Sequence, residues 1–309
     1  MTKVLLTGGA GFTGAYFIEH ILAETDWEIY SLERLTARED RLGVLSYSPR
    51  IHRIYHDFIA EIPDRILRNL SVDYIVHMGA EVQGRGSLEN PALFVRANTL
   101  GTFHMLEAAR VLKPKKFIYV SSVDAIGEAI GLTEDATLYP SNPYGAAKAA
   151  GEMLALSYRN SFKVPVSIVR TMNIFGKRQG VDKFVPMVIQ TILAGKSIPM
   201  HVGQDGVPGS RCYLPVQEFV RGLHWILNYE PSDTYHIVGP ARSNKEIVQL
   251  IGRTLGVSYH INPIVPGPSH DMHRLVVDTK LPPEAYRRDT VDEELVSTVK
   301  WYGENRQWL

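Results

Sequence analysis

The chain has 309 residues, enough for one large α/β unit or about two domains that bury their apolar surface without disulfides or metals. Its 33 Lys and Arg balance 33 Asp and Glu, so the formal net charge is 0 and the basic footprint of a nucleic-acid binder is missing. With 45% hydrophobic and 21% charged residues, one cysteine (Cys212) and no apolar run near the ~20 residues of a membrane helix, composition also excludes disorder, a disulfide framework, a multi-cysteine metal site and a transmembrane span. The glycines at 8 and 9 come too early for a secretory leader, so the expected place is the cytoplasm.

In chain order, residues 4–6 are a short apolar run that leads into glycines, as a buried parallel strand should. A helix follows over 15–24, with Phe17, Ile18, Ile21 and Leu22 at helical spacing. Strands are predicted at 28–32, 53–55 and 73–78, then a long helix over about 92–112, a strand at 116–120, a helix from about 143 to 160 and a strand at 166–170. Strands alternating with helices argue for a doubly wound parallel sheet, and right-handed crossovers place helices on both faces. After about 171 the rhythm loosens, punctuated by Pro186, Pro199, Pro208, Pro215, Pro240 and the segment 263–268, which reads as a smaller α+β lobe over the carboxyl ends of the strands. Residues 235–239 form a late strand that can return to the main sheet, and a last helix over 291–302 puts Leu295, Val299 and Tyr302 on one face.

The first strand runs into Gly8, Gly11, Phe12, Thr13 and Gly14, with the glycines spaced G-x-x-G-x-x-G before a helix. One glycine makes the tight turn, one lets the backbone approach a pyrophosphate, and one lets helix and strand pack closely. The helix N-terminus then offers free N–H groups and a partial positive charge to the phosphates. This is a dinucleotide loop on a Rossmann-type sheet. Glu33, 19 residues beyond Gly14, can accept both ribose hydroxyls and repel a 2′-phosphate, which favours NAD over NADP; a solvated acid at a strand end is the plainer reading. Arg34 and Arg38 keep NADP open, because either can pair with a phosphate. Asp57 can take the adenine amino group or cap the N-terminus of a helix. The expected organisation is an NAD-binding unit over 1–171, rejoined by about 213–240, with 172–212 and 241–309 forming a substrate lobe.

Tyr144 and Lys148 are i and i+4 on the predicted helix and project from one face, behind a strand that ends in Ser121 and Ser122. Asn142 and Pro143 supply the N-cap and first helical residue. An ammonium beside a phenol favours phenolate, and bringing a tyrosine from ~10 to ~7 takes about 4 kcal/mol. The phenolate can take a hydroxyl proton while hydride leaves the same carbon for NAD. Among the histidines, His77 ends a strand and reads as packed; His270 and His273 beside Asp271 make a weak metal pattern, and no metal is expected.

At this point the chain resembles the extended short-chain dehydrogenase/reductases, in the group of nucleotide-sugar epimerases and dehydratases. The residues that carry the likeness are those from Thr7 to Gly14, His77-Met78-Gly79-Ala80-Glu81, Asn98 with Gly101-Thr102, Ser121-Ser122-Val123-Asp124-Ala125-Ile126-Gly127, and Pro143-Tyr144-Gly145-Ala146-Ala147-Lys148. The resemblance implies Ser122 as the hydroxyl that bonds the sugar oxygen being oxidised, Tyr144 as acid/base, and Lys148 as the residue that orients the nicotinamide ribose and lowers the tyrosine pKa. It also implies Ala80 and Asn98 in the cofactor site. Within the group the chain most resembles the dTDP-glucose 4,6-dehydratase branch, through Glu33-Arg34-Leu35-Thr36, Asn173-Ile174-Phe175-Gly176, Asp182-Lys183-Phe184-Val185-Pro186 and Thr298-Val299-Lys300-Trp301-Tyr302. That likeness implies Asn173, Lys183, Arg211 and Arg274 around the nucleotide diphosphate, and Glu81 near the sugar or capping the next loop.

Such a dehydratase oxidises C4, removes the C5 proton, expels the C6 hydroxyl and returns hydride to C6, using a Thr-Asp-Glu triplet. Here the triplet is Ser122-Val123-Asp124. The hydroxyl remains and Asp124 keeps a carboxylate for C5, but Val123 cannot protonate a leaving group. Dehydration with Asp124 or a water as proton carrier therefore stands beside 4-epimerisation, uronate decarboxylation and a non-catalytic dinucleotide-binding role. The helices at 92–112 and 143–160 carry apolar residues on more than one face, so something covers them twice. In the family that is the same pair from a second subunit, which implies a homodimer through a four-helix bundle.

Overall fold

The computed structural model describes residues 1–34, 48–82, 84–267 and 270–309, so Arg38 lies outside the described residues. The first half runs β1 (Lys3–Thr7), α1 (Phe12–Glu24), β2 (Glu28–Glu33), β3 (Ile51–Tyr55), α2 (Asp64–Leu67), β4 (Tyr74–His77), α3 (Gly84–Glu89), α4 (Pro91–Val95), α5 (Gly101–Leu112), β5 (Lys116–Ser122), β6 (Ala129–Leu132), α6 (Pro143–Phe162) and β7 (Val166–Thr171). The second runs β8 (Ile174–Phe175), α7 (Phe184–Leu193), β9 (Ile198–His201), β10 (Ser210–Cys212), β11 (Leu214–Pro215), α8 (Val216–Tyr229), β12 (Thr234–Ile237), β13 (Ala241–Ser243), α9 (Asn244–Leu255), β14 (Ile261–Ile264), β15 (His273–Val276) and α10 (Val291–Glu304).

Seven strands pair in parallel in the order β12-β7-β5-β4-β1-β2-β3. The chain leaves β1 in one direction for β2 and β3 and returns on the other side through β4, so a crevice opens beyond the carboxyl ends of β1 and β4, where ligands of such sheets bind. The two faces of the sheet are covered by separate apolar clusters. One packs Phe17, Ile18 and Ile21 of α1 against Phe219, Leu223 and Ile226 of α8; the other packs Met105 and Leu106 of α5 against Ala155 and Tyr158 of α6. Strand β12 closes the edge beside β7.

The helix read over 92–112 is three pieces. A π-helical turn, Arg96–Leu100, separates α4 from α5, and α4 starts one residue earlier, at Pro91, where Asn90 accepts from the Leu93 N–H. The extra residue of the π turn buries Asn98, whose carbonyl oxygen also accepts from the Thr102 hydroxyl at 2.7 Å. Outside the large sheet, β13, β10, β15 and β6 form a second one. Its register sets Arg274 beside Arg211 on one side and Ala129 on the other, which carries Arg274 from late in the chain to the end of β5.

Candidate active site

A cleft of about 520 Å³ runs from the glycine loop to α6 and into the lobe. At its nucleotide end Gly8 has φ +78°, a conformation that an L side chain rarely adopts, and a Cβ on Gly14 would overlap the carbonyl oxygen of Gly8. Gly11 precedes α1 in extended conformation and, among the described residues, no side chain caps the helix, so the first N–H groups of α1 at Phe12 and Thr13 lie at the cleft. The loop therefore has the shape and polarity that a pyrophosphate requires. Ala80, after β4, lines the same end.

Other residues expected at this end are engaged elsewhere. Glu33 is buried behind the loop, where it accepts from the Ala10 N–H at 3.1 Å and from the Ser31 hydroxyl; burial pushes its carboxyl above the usual range. Asp57 accepts from the Ile59 N–H at 3.0 Å, capping a turn and not the expected helix start, and lies 3.5 Å from Arg34 Nε. Arg34 Nη1 donates to Glu81 at 2.9 Å, so this arginine is matched by two carboxylates. Asn98 is fully buried and bonds both the N–H and the carbonyl of Glu81 at 2.9 Å; it braces the loop after β4 and does not line the cleft.

Around Tyr144 the expected residues converge. Asn142 caps α6 by accepting from the Gly145 N–H at 3.0 Å, which points Tyr144 and Lys148 at the end of β5. Ser122, Asp124, Tyr144, Lys148, Asn173, Lys183 and Arg274 all line the cleft. Ser122 Oγ donates to Asp124 Oδ2 at 2.8 Å, and Arg274 Nη1 lies 2.8 Å from Asp124 Oδ1. Arg274 also grips Asp271 through Nε at 2.9 Å and Nη2 at 2.7 Å, and the Ser141 hydroxyl completes Asp271 at 2.7 Å. Burial and then the Asp124 charge push the Tyr144 phenol above its usual range, while the Ser122 hydrogen bond and Arg274 pull the other way. The cation that opposes the shift is thus Arg274. Lys148 instead donates to the Val120 carbonyl at 2.9 Å and lies 5.2 Å from the centre of the Tyr119 ring; burial lowers it to about 8 against the pull of Glu152.

Val123 is fully buried in an apolar cluster with Ile126 and Met172. Arg211, expected at a diphosphate, is buried, and donates from Nη1 to the carbonyls of Ser210 at 2.8 Å and Met272 at 2.7 Å and from Nη2 to that of Asp271 at 2.7 Å; its place is that of a strut within the lobe, away from the cleft lining. Lys183 lies 2.8 Å from Asp182 and donates to the Val82 carbonyl at 2.9 Å. His77 is packed, with Thr7 and Thr102 on its two ring nitrogens, and burial lowers it to about 3. Sequence reasoning missed Glu152, Arg170 and the Asp271–Ser141 support. Glu152 was within reach, since it continues the 144, 148 spacing by one more turn.

A model of the family described as GDP-mannose 4,6-dehydratase matches residues 5–300. The dTDP-glucose 4,6-dehydratase of Streptomyces griseus is 32% identical over 319 residues, covering 99% of this chain and 96% of that one. A crystal structure of dTDP-glucose 4,6-dehydratase from Streptomyces venezuelae, with NAD bound, superposes with a TM-score of 0.91 at 27% identity, over 99% of this chain and 98% of that one. The UDP-glucuronic acid 4-epimerase of Bacillus cereus shares the fold, with a TM-score of 0.89 at 22% identity over 98% of this chain and all of that one.

Proposed function

Because the chain belongs to the GDP-mannose 4,6-dehydratase family, we propose that it is an NAD-dependent nucleotide-sugar 4,6-dehydratase that works through a 4-keto sugar. The observation that carries this reading is the meeting of Ser122, Tyr144 and Lys148 in the same cleft as the glycine loop. Bound NAD supplies an acceptor for the C4 hydride and gives it back later in the same turnover. Phe12, Thr13 and the glycines would hold its pyrophosphate and Lys148 its ribose, with Ala80 along the same wall. Glu33, Asp57 and Asn98 act from behind, by fixing the loops around it.

Tyr144 takes the C4 hydroxyl proton while Ser122 donates to the same oxygen. Asp124, held in place by Arg274 at 2.8 Å, takes the C5 proton of the ketone. As a carboxylic acid it then returns that proton to the C6 hydroxyl, which departs as water, so one residue covers its own step at C5 and the step that Val123 leaves unserved. Arg274 is already matched by Asp124 and Asp271, which disfavours a sugar that carries a further carboxylate, and with it uronate decarboxylation. The buried Val123 favours one second reading, a 4-epimerase that reduces the ketone from its other face.

The nucleotide diphosphate would lie against Asn173 and Lys183, in a lobe made of 172–212 and 241–309 beside the sheet unit of 1–171 and about 213–240. Val95, Leu100, Phe103, Met153 and Phe162, on α4 to α6, are between 37% and 51% exposed, and we assign that apolar face to a four-helix-bundle homodimer. Light scattering should give a dimer at micromolar concentration; a monomer would refute the assignment. The single buried, unpaired Cys212 suits a cytoplasmic enzyme. Mass spectrometry after incubation with NAD and a panel of dTDP-, UDP-, GDP- and CDP-hexoses tests the reaction. A product lighter by one water supports the dehydratase, an isomer of unchanged mass supports the epimerase, and no turnover of any sugar overturns both.

A further inference from the structure

The segment that leads into β15 is tied down by side chains from separate parts of the fold. Arg211 of β10 donates to the backbone carbonyls of Asp271 and Met272, each at 2.7 Å, and so fixes the main chain just ahead of the strand. The Ser141 hydroxyl, just ahead of α6, donates to Asp271 Oδ2 at 2.7 Å. The same oxygen receives Arg274 through Nε at 2.9 Å and Nη2 at 2.7 Å, which leaves Nη1 to meet Asp124 Oδ1 at 2.8 Å. Asp271, Arg274 and Asp124 are all buried. One cation between two buried carboxylates is a poor device for stability, since burying charge costs much of what the pairing returns. Its place in this chain calls for another reason.

The other oxygen of Asp124 supplies one. Oδ2 accepts from the Ser122 hydroxyl at 2.8 Å, so the carboxylate is held at one end by β5 and at the other by the lobe. A serine has a single hydroxyl proton to donate. In the reaction proposed above, Ser122 donates it to the sugar oxygen at C4, and the hold on Oδ2 is released just when Asp124 must take the C5 proton. From then on Arg274 carries the placement of that carboxylate. An arginine head rides on a long, rotamer-rich stem, and its planar fork keeps one orientation only when more than one edge is engaged. Asp271 engages the edge that Asp124 does not.

We propose that Asp271, anchored by Ser141 and Arg211, is a positioning residue that holds Arg274 so that Asp124 stays in place once Ser122 has turned to the sugar. Asp271 does not line the cleft and acts through Arg274. The role in turnover rests on the functional reading above. The linkage of the two carboxylates through Arg274 does not, and the two can fail separately.

The test separates two steps of the reaction in the full-length protein with NAD bound. Asp271→Asn keeps the volume and removes the charge. It should slow the exchange of the C5 proton of a nucleotide 4-keto-6-deoxyhexose in heavy water by about tenfold, because a displaced acceptor loses its reactive geometry. The first appearance of bound NADH, on mixing with the nucleotide hexose, should change by less than about twofold, since Tyr144 and Ser122 serve that step. Ser141→Ala removes one bond to Asp271 and should slow exchange by about threefold with the hydride step again spared. Equal slowing of both steps in Asp271→Asn, or exchange at the native rate, overturns the proposal. Should Asp271→Asn not fold, Ser141→Ala decides by the same two readings. Melting temperatures of Asp271→Asn, Asp124→Asn and the double variant test the linkage without any sugar. Among the described residues Arg274 is the side chain that bonds both carboxylates, so the shifts should fail to add by a few degrees. Additive shifts overturn the proposal. A protein that turns over no sugar, yet shows this failure to add, would overturn the functional reading and leave the linkage standing.

Discussion

At its glycine end the cleft is shaped by missing side chains: Gly8 turns the backbone, Gly14 leaves room for it, and an uncapped helix supplies the polarity. Around Tyr144 the cleft is shaped by charge. Two buried ion pairs flank the phenol's helix, Asp124–Arg274 on one side and Glu152–Arg170 on the other, each tied to a serine of the Ser121–Ser122 step. The first end recognises by space and the second by a balance of cations and anions. Substitutions should therefore act through sterics at one end and through proton affinity at the other.

The largest expected effect is at the charged end. Tyr144→Phe removes the proton acceptor and should lower turnover by about 10³-fold, the middle of the range for acid–base groups, while NAD affinity by calorimetry changes less than about threefold. At the other end Gly14→Ala should do the reverse, lowering NAD affinity by about 10²-fold because the methyl overlaps a backbone oxygen that cannot yield. Equal losses of binding and turnover in both variants would erase the contrast. Arg274→Met leaves the Asp124 carboxylate without its guanidinium and removes the cation that pulls the Tyr144 phenol down; it should push Tyr144 higher still and cut turnover by about tenfold with the rate profile moved to higher pH.

Smaller effects sharpen the boundary. His77 is held neutral down to about 3, against 6.5 when exposed, so the unfolded chain takes its proton first as pH falls. Its contribution is present above about 6.5 and lost below it, at about 1.4 kcal/mol per pH unit, and His77→Gln should flatten the fall in melting temperature between pH 7 and pH 5. The smallest change is Arg34→Ala, a part-exposed residue paired with Asp57 and Glu81, which should alter stability by less than about 0.5 kcal/mol and leave NAD affinity within about threefold.

The same division explains what could be read from the sequence. The glycine loop is local: strand, turn and helix lie within the first 24 residues, and spacing alone defines them. Tyr144 and Lys148 were legible for the same reason, being one turn apart on a capped helix. Arg274 meets Asp124 across 150 positions, through a small sheet that places β15 next to β6, and no local period encodes that. Nor does spacing tell that Arg211, beside Arg274 in register, turns into the lobe while Arg274 turns to the cleft. The π turn that splits the 92–112 helix holds Asn98 against Glu81, a contact between that turn and the loop after β4 that no local period encodes.

The central claim is that hydride leaves the sugar's C4 and returns to the same molecule, with Tyr144 and Asp124 handling the protons. A nucleotide hexose carrying deuterium at C4 tests it most directly, once the substrate panel has identified the accepted base. The account predicts a product lighter by one water that retains the deuterium at C6, with no net NADH formed. Deuterium kept at C4 of an isomer of unchanged mass would replace dehydration with epimerisation. Deuterium lost to free NADH, in step with an oxidised sugar, would contradict the account.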